Sequence, residues 1–254
     1  MKKDANKTKI KDKNVFSKSK SRKKIILFFL AVFFVLIFIF LLPGQSKIYK
    51  EPNLVAFFKF DGKEGCEIFD NSGNNHSGAL KSACPENSPL WIEEGKDRGA
   101  LKFDGIDDYV DVLESDFLNI TDKITVDLWI KYSADPKSFN GVILTKYSEN
   151  LDMPYSIYSN RDIGIRFIIR DKYGREFSAL FPQKDLKDWQ NTWFNVVGNF
   201  DGKNLRIKIN GKEGQSVKAN TEIRTSHDVL RIGALGLNDL PFKGIIDEVK
   251  IYNK

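Results

Sequence analysis

Most of the side chains with chemistry to offer are carboxylates in glycine-rich turns. Asp61-Gly62, the run Asp70-Asn71-Ser72-Gly73-Asn74-Asn75 and the run Asp104-Gly105-Ile106-Asp107-Asp108 each put hard oxygen donors where the chain reverses. A further carboxylate, Asp247, stands in GIIDEVKIY at 244–252. Strict alternation places Asp247 with Ile245, Val249 and Ile251, opposite Ile246, Glu248, Lys250 and Tyr252. A carboxylate among aliphatic side chains is costly to bury unless paired or hydrogen-bonded, so Asp247 needs a partner. Calcium takes its ligands from carboxylates, carbonyls and water. A structural calcium held by Asp247, with oxygens from the Asp70 and Asp104 loops, meets that need. The alternative is that Asp70, Asp104 and Asp108 cap turns through Asx hydrogen bonds while Asp247 accepts backbone N–H groups. Both readings stay open at this level.

Hydrolytic chemistry finds less support. Glycosidases need two carboxylates flanking one bond, and no strand run here carries an E-x-D-x-x-E or E-x-D-x-E set of acids. Asp247 and Glu248 are adjacent, which in a regular strand sends them to opposite faces. Glu114 and Asp116 have the right parity but sit in LESDF, which reads as a loop. The two histidines, His76 and His227, lie in loop-like surroundings, and no G-x-S-x-G or Cys-His pattern accompanies them. The expectation is therefore no enzyme and no catalytic residue.

Aromatic rings are the other resource. Sugar-binding surfaces combine exposed rings with a few polar groups. Tyr147, Tyr155 and Tyr158 fall around YSENLDMPYSIYS, polar enough to read as a loop at a sheet rim. Tyr155, Tyr158 and Trp189 are the candidate ligand-binding residues. Trp129 shares a face with Asp127 and Lys131; for it and Trp193, packing is the simpler reading. Cys66 and Cys84 are the only cysteines and lack the His pair of a zinc site. In an oxidising compartment they are expected to form a disulfide around the Asp70 run.

The elements that must position these groups are short β runs with turn signals between them. They are LVAFFKF (54–60), GALKFDG (99–105), KITVDLWIKY (123–132), GVILTKY (141–147), IGIRFIIR (163–170), REFSALF (175–181) and GIIDEVKIY (244–252). Between 193 and 213, Asp201-Gly202 and Asn210-Gly211 punctuate an antiparallel meander. Ile163, Ile165, Phe167 and Ile169 fall on one face, Arg166 and Arg170 on the other, as a half-buried strand requires. Many strands with one apolar face mean two packed sheets.

Charge and hydropathy divide the chain. Residues 1–24 hold eleven Lys or Arg against Asp4 and Asp12, so a local +9 leaves the other 230 residues at −3 although the whole chain is +6. The acidic balance of the remainder argues against a nucleic-acid partner. Residues 25–42 are eighteen apolar residues without a charge, spanning about 27 Å as a helix, enough to cross a bilayer core. The basic flank lies on their N-terminal side, and LLPGQSK offers no A-x-A cleavage pattern. The expected organisation is a basic cytoplasmic tail (1–24), a retained transmembrane helix (25–42), a linker (43–52) and one domain (53–254) outside the cytoplasm.

The wording of that last segment resembles a family. LVAFFKFDG, DNSGNNHSGAL, GALKFDGIDDYVDV, ITVDLWIKY, WFNVVGNFDGKNLRIKINGK, LRIGAL and FKGIIDEVKIYN follow in the order of laminin-G-like, concanavalin-A-like jelly-roll domains. The resemblance implies an all-β fold of two antiparallel sheets, with 244–252 pairing near the first strand. Several members of that family hold a structural calcium at a comparable place, and such domains usually bind carbohydrate or protein. The expectation is a membrane-anchored binding module for polysaccharide or a surface protein. A purely structural or protein-interaction domain is the alternative.

Overall fold

The computed structural model describes residues 48–254 apart from 63, 82, 134–139, 148–152, 187 and 237–239. The tail and transmembrane helix expected at 1–24 and 25–42 lie outside the described residues. Among the described residues no helix is long and apolar enough to cross a membrane.

Seventeen strands are described. The first six are β1 (Leu54–Phe58), β2 (Glu67–Ile68), β3 (Gly78–Leu80), β4 (Leu90–Ile92), β5 (Ala100–Asp104) and β6 (Val110–Val112). Next come β7 (Ile124–Tyr132), β8 (Gly141–Lys146), β9 (Tyr155–Asn160), β10 (Gly164–Arg170) and β11 (Glu176–Pro182). The last are β12 (Trp193–Phe200), β13 (Asn204–Ile209), β14 (Lys212–Glu213), β15 (Val217–Lys218), β16 (Leu230–Ile232) and β17 (Lys243–Tyr252). They make two antiparallel sheets, as expected of a jelly-roll sandwich. The nine-stranded sheet is ordered β14-β13-β12-β7-β17-β5-β4, with β1 also on β17 and β15 also on β13. The eight-stranded sheet is ordered β11-β10-β9-β8-β16-β6-β3-β2. The last strand thus pairs with the first.

Alternation builds the core between the sheets. Ile124, Val126, Leu128 and Ile130 of β7 are fully buried while the residues between them are half-buried. From the other sheet Ile165, Phe167 and Ile169 meet them with no exposed surface. Complete burial of such a side chain contributes about 1.5–3 kcal/mol. Gly198 lets the layers close, because a Cβ there would lie 2.5 Å from the Phe167 ring. Asn210 and Gly211, at φ +49° and +77°, make the tight β13–β14 reversal that their positive φ permits. A Cys66–Cys84 disulfide, with Cα atoms 5.8 Å apart, encloses the Asp70 run.

Three expectations change. First, the polar run taken as a loop contains β9, whose Tyr155 and Ile157 face the core. Second, the linker assigned to 43–52 overlaps the folded unit: Tyr49 donates its N–H to the Asn71 carbonyl at 2.6 Å and packs edge-on against Phe57. Glu51 likewise accepts the Tyr252 hydroxyl at 2.9 Å. Third, β17 is not regular. Asp247 pairs with Trp129 and Lys250 with Asp127, so Glu248 and Val249 together oppose Leu128. Glu248 takes φ +51° in this β-bulge.

Candidate functional site

The bulge decides the fate of Asp247. It switches the parity of β17, so the buried Ile246 precedes it and the buried Val249 and Ile251 follow it. Asp247 therefore does not share the face of Val249 and Ile251. It lies fully buried beneath the 95–98 turn, whose Lys96 and Asp97 N–H groups donate to Oδ2 at 2.7 and 3.1 Å. Glu248 N–H donates to Oδ1 at 2.7 Å. Burial pushes the Asp247 pKa up to about 7 against these three donors. The same turn puts the Lys96 ammonium 4.0 Å from the Trp129 ring centroid, so Trp129 is covered by a loop.

Beside it sits Lys59, only 4% exposed, with its Nζ 2.9 Å from Asp97 and Glu248 and 3.5 Å from Asp61. Burial lowers its pKa, but the hydrogen bonds to Asp97 and Glu248 outweigh that and raise it. The adjacent Asp247 and Glu248 thus both turn toward the 95–98 loop, contrary to the alternation expected. Each is tied to a structural partner, which leaves neither as an acid or base for a substrate.

The expected calcium ligands do not assemble as a set. Asp70 braces its own loop, accepting N–H bonds from Phe57 (3.0 Å), Ser72 (2.8 Å) and His76 (3.0 Å). Asp104 accepts the Ile106 N–H at 2.7 Å, the Asx turn foreseen as the alternative. Among the described residues the only trio of carboxylate, thiol or imidazole ligand atoms within 4.8 Å of one another is Asp104, Asp107 and Asp108; Asp70 and Asp247 are not part of it. These three are the residues that could hold a divalent cation. Lys81 already pairs with Asp107, and Asp108 Oδ2 accepts the Asp104 N–H. Burial pushes Asp108 up to about 6, with the neighbouring Asp104 and Asp107 adding to the rise. His76 is buried within the Asp70 loop, its Nε2 without a hydrogen-bond partner among the described residues, and burial lowers its pKa.

A polar cluster lies on the side of the eight-stranded sheet turned away from the core, where Arg231, Thr145, Ser156 and Ile168 are nevertheless buried. Register aligns Asp111, Arg231, Thr145, Ser156, Ile168 and Ser178 in one row across six strands. Arg231 donates to both Asp111 carboxylate oxygens, at 2.7 and 2.8 Å. Its guanidinium carbon lies 4.3 Å from the Tyr109 ring and 4.7 Å from that of Tyr147. Fork pairing plus two flanking rings fixes this side chain in one orientation. Burial lowers the Arg231 pKa, but the Asp111 hydrogen bonds and charge outweigh it and raise it. Three strands away, Arg166 reaches Ser178 at 2.7 Å and Glu176 at 2.8 Å. Arg170 takes the other Glu176 oxygen at 2.7 Å, and the Tyr158 ring lies 5.7 Å from the Arg166 guanidinium.

Of the three ring residues expected to bind ligand, only Tyr158 lies on this face. Tyr155 points inward, fully buried, and donates its hydroxyl to the Leu118 carbonyl at 3.1 Å. Trp189 packs against the core, edge-on to Tyr132 at 5.9 Å. Sequence reading missed Tyr109, Asp111 and Arg231. The alternation in VDV and LRI signals that the two charged groups face outward, but nothing local signals that residues 120 positions apart will pair.

A family model described as the concanavalin A-like lectin/glucanases superfamily matches residues 104–254. No curated protein matches the chain. Among solved structures, domain 4 of AbnA, an extracellular GH43 arabinanase from Geobacillus stearothermophilus in complex with arabinotriose, is similar at TM-score 0.61 and 19% identity, over 80% of this chain and 93% of that one. The binding domain of Paraclostridial Mosquitocidal Protein 1 is similar at TM-score 0.62 and 15% identity, over 80% of this chain and 49% of that one. The receptor-binding domain of botulinum neurotoxin mosaic serotype C/D follows at 0.60 and 16%, over 80% and 48%. The matched region spans about half the length of the two toxin domains. At these identities the likeness is one of fold.

Proposed function

The chain belongs to the concanavalin A-like lectin/glucanases superfamily, and we propose that it is a non-catalytic glycan-binding module held at the outer surface of a membrane. One observation carries the glycan reading: on the outward side of the eight-stranded sheet a nearly buried guanidinium, paired two-pronged with Asp111, is held between the buried Tyr109 ring and the half-buried Tyr147 ring, which leaves Tyr147 as the ring a sugar can reach. Sugars are bound where rings meet their C–H faces and a few oriented polar groups meet their hydroxyls. The similarity to a domain solved with arabinotriose supports it at the level of fold.

The test is a glycan array probed with the full chain in a non-glycosidic detergent. Reproducible binding that Tyr147→Ala reduces at least about tenfold, a loss of about 1.4 kcal/mol, is the expected result. Silence on the array together with capture of one crosslinked partner protein would support the protein-interaction alternative instead.

The membrane reading rests on the charge step around residues 25–42. Protease added to intact cells is expected to remove Lys254 and spare the N-terminal tail. Protection of residues 48–254 from that protease would end it.

A further inference from the structure

We infer that the end of the sandwich at which the chain enters lies against the lipid bilayer and inserts Phe69, Leu113 and Phe117 at its surface; this rests on the membrane anchoring proposed above. Register brings the apolar groups together. Ile68 pairs with Gly78 and Gly78 with Val112, so the next residues, Phe69, Ser77 and Leu113, form a row turned away from the core. The Leu113 N–H donates to the Ser77 carbonyl at 2.9 Å. Ile68 and Val112 are buried, whereas Phe69 and Leu113 are 63% and 62% exposed and Ser77 between them is exposed. Phe117, 67% exposed, extends the patch, its ring 6.0 Å from that of His76, the neighbour of Ser77. Ile48, 57% exposed, packs on Gly73, its Cγ2 only 2.8 Å from where a Cβ would stand. Four of the nine large apolar side chains exposed among the described residues thus gather around the 69–77 loop, and such patches mark contact surfaces.

Chain length selects lipid as the occupant. Leu42, the last residue of the apolar run, stands six residues before Ile48, a separation of at most about 20 Å of extended chain. Ile48 belongs to the patch, so the patch begins within that reach of the bilayer. The opposite end of the sandwich does not. Tyr252, which bonds Glu51 near the entry, and Lys243 are the two ends of β17, a strand of ten residues and therefore about 33 Å long. Charge then sets the manner of attachment. Between Leu113 and Phe117 stand Glu114 and Asp116 and no lysine or arginine, so anionic headgroups do not draw this patch in, and burial of its apolar side chains in the interface holds it. The row of Leu113 continues through Val229 to Tyr147, whose N–H donates to the Val229 carbonyl at 2.9 Å. In this orientation the sugar within reach of Tyr147 is one borne close to the membrane surface.

The test reconstitutes the full chain in phosphatidylcholine vesicles, with and without bromine on the acyl chains, and reads tryptophan fluorescence. Phe117→Trp places a reporter in the patch. Ile106→Trp places one beyond Asp104, which pairs with Lys243 at the far end of β17; both positions are exposed. The four native tryptophans give each variant the same background, and flotation shows first that the chain is in the vesicles. Expected is bromine quenching at least about twofold stronger for Phe117→Trp than for Ile106→Trp, since a patch seated about 5–10 Å into the boundary of headgroups and acyl chains lies near the bromines. The difference should persist in high salt. Adding Phe69→Ser and Leu113→Ser should bring quenching of Phe117→Trp down to the level of Ile106→Trp and, because both side chains are exposed, leave the unfolding midpoint nearly unchanged. A chain that floats but shows equal quenching, or none, at the two positions overturns the docking and leaves the anchoring standing. Phe117→Trp shielded from aqueous iodide yet untouched by the bromines also overturns it, because a second copy of the chain then covers the patch. Failure to float sinks the anchoring and the docking with it.

Discussion

Lys59→Met is expected to lower the unfolding free energy of the domain by about 3–5 kcal/mol, the range for removing one partner of a buried ion pair. The ammonium is nearly enclosed, 2.9 Å from Asp97 and Glu248 and 3.5 Å from Asp61. It also lies 5.4 Å from the Tyr49 ring and 5.7 Å from that of Phe57. Methionine fills most of the volume but leaves three carboxylates facing one another with no cation among them. Because the folded-state pKa of Lys59 is raised above its ordinary value, its contribution is fully present below the ordinary lysine pKa and is lost only as pH rises through the folded one. The loss should therefore be constant from neutral pH up to the ordinary lysine range, and should shrink only in acid, where Asp97, whose pKa the Lys59 hydrogen bond lowers, takes up a proton. For a domain of this size the drop corresponds to roughly 10 °C in Tm, at about 2–4 °C per kcal/mol. Urea unfolding of Lys59→Met measures it, with Asp97→Asn as the milder comparison because Asp97 is 57% exposed. A loss below about 1 kcal/mol for Lys59→Met would show that solvent already screens the cluster.

The cluster matters because it joins three segments distant in sequence: the end of β1, the 95–98 turn and the bulge of β17. Alternation and turn residues were enough to place β7, β10, β12 and β17 and to require two packed sheets, since a strand with one apolar face has a single way to bury it. The Cys66–Cys84 pairing was equally legible, because two cysteines flanked one loop. β9 was not, for its outward positions are Ser156, Tyr158 and Asn160 and the run before it is polar, so its local composition is that of a loop. Its membership in the sheet comes from β8 and β10 on either side. The bulge at Asp247–Glu248 was invisible for a related reason. Counting by twos assumes an unbroken pleat, and one positive φ at Glu248 reverses every assignment beyond it. Of the expected metal ligands only Asp104 joins a carboxylate cluster among the described residues, with Asp107 and Asp108, and the Arg231 clamp was missed because pairing across 120 residues leaves no local mark.

The bulge also fixes the second large effect. Asp247→Ala is expected to cost about 3 kcal/mol at pH 5, because it strands the N–H groups of Lys96, Asp97 and Glu248, and a buried donor left unpaired costs about 1–3 kcal/mol. The cost should depend on pH. Burial raises the folded-state pKa of Asp247 to about 7 from an ordinary 3.8, against the opposing N–H donors. A raised pKa means that the protonated form is favoured by folding. The stabilisation tied to that proton is fully present below pH 3.8 and is lost as pH rises through about 7. The wild-type advantage over Asp247→Ala should accordingly shrink between pH 5 and pH 8. Glu248, Asp97 and Lys59 face the same turn and are present in both proteins, so their own titration largely cancels in the difference. Urea unfolding of both proteins across that range gives the answer. A gap that stays constant would mean that Asp247 is ionised throughout, held by its three N–H donors and the nearby Lys59 charge. A gap that widens with pH would mean that the carboxylate form is the one the turn is built to hold, and burial would then not be the dominant influence on this group.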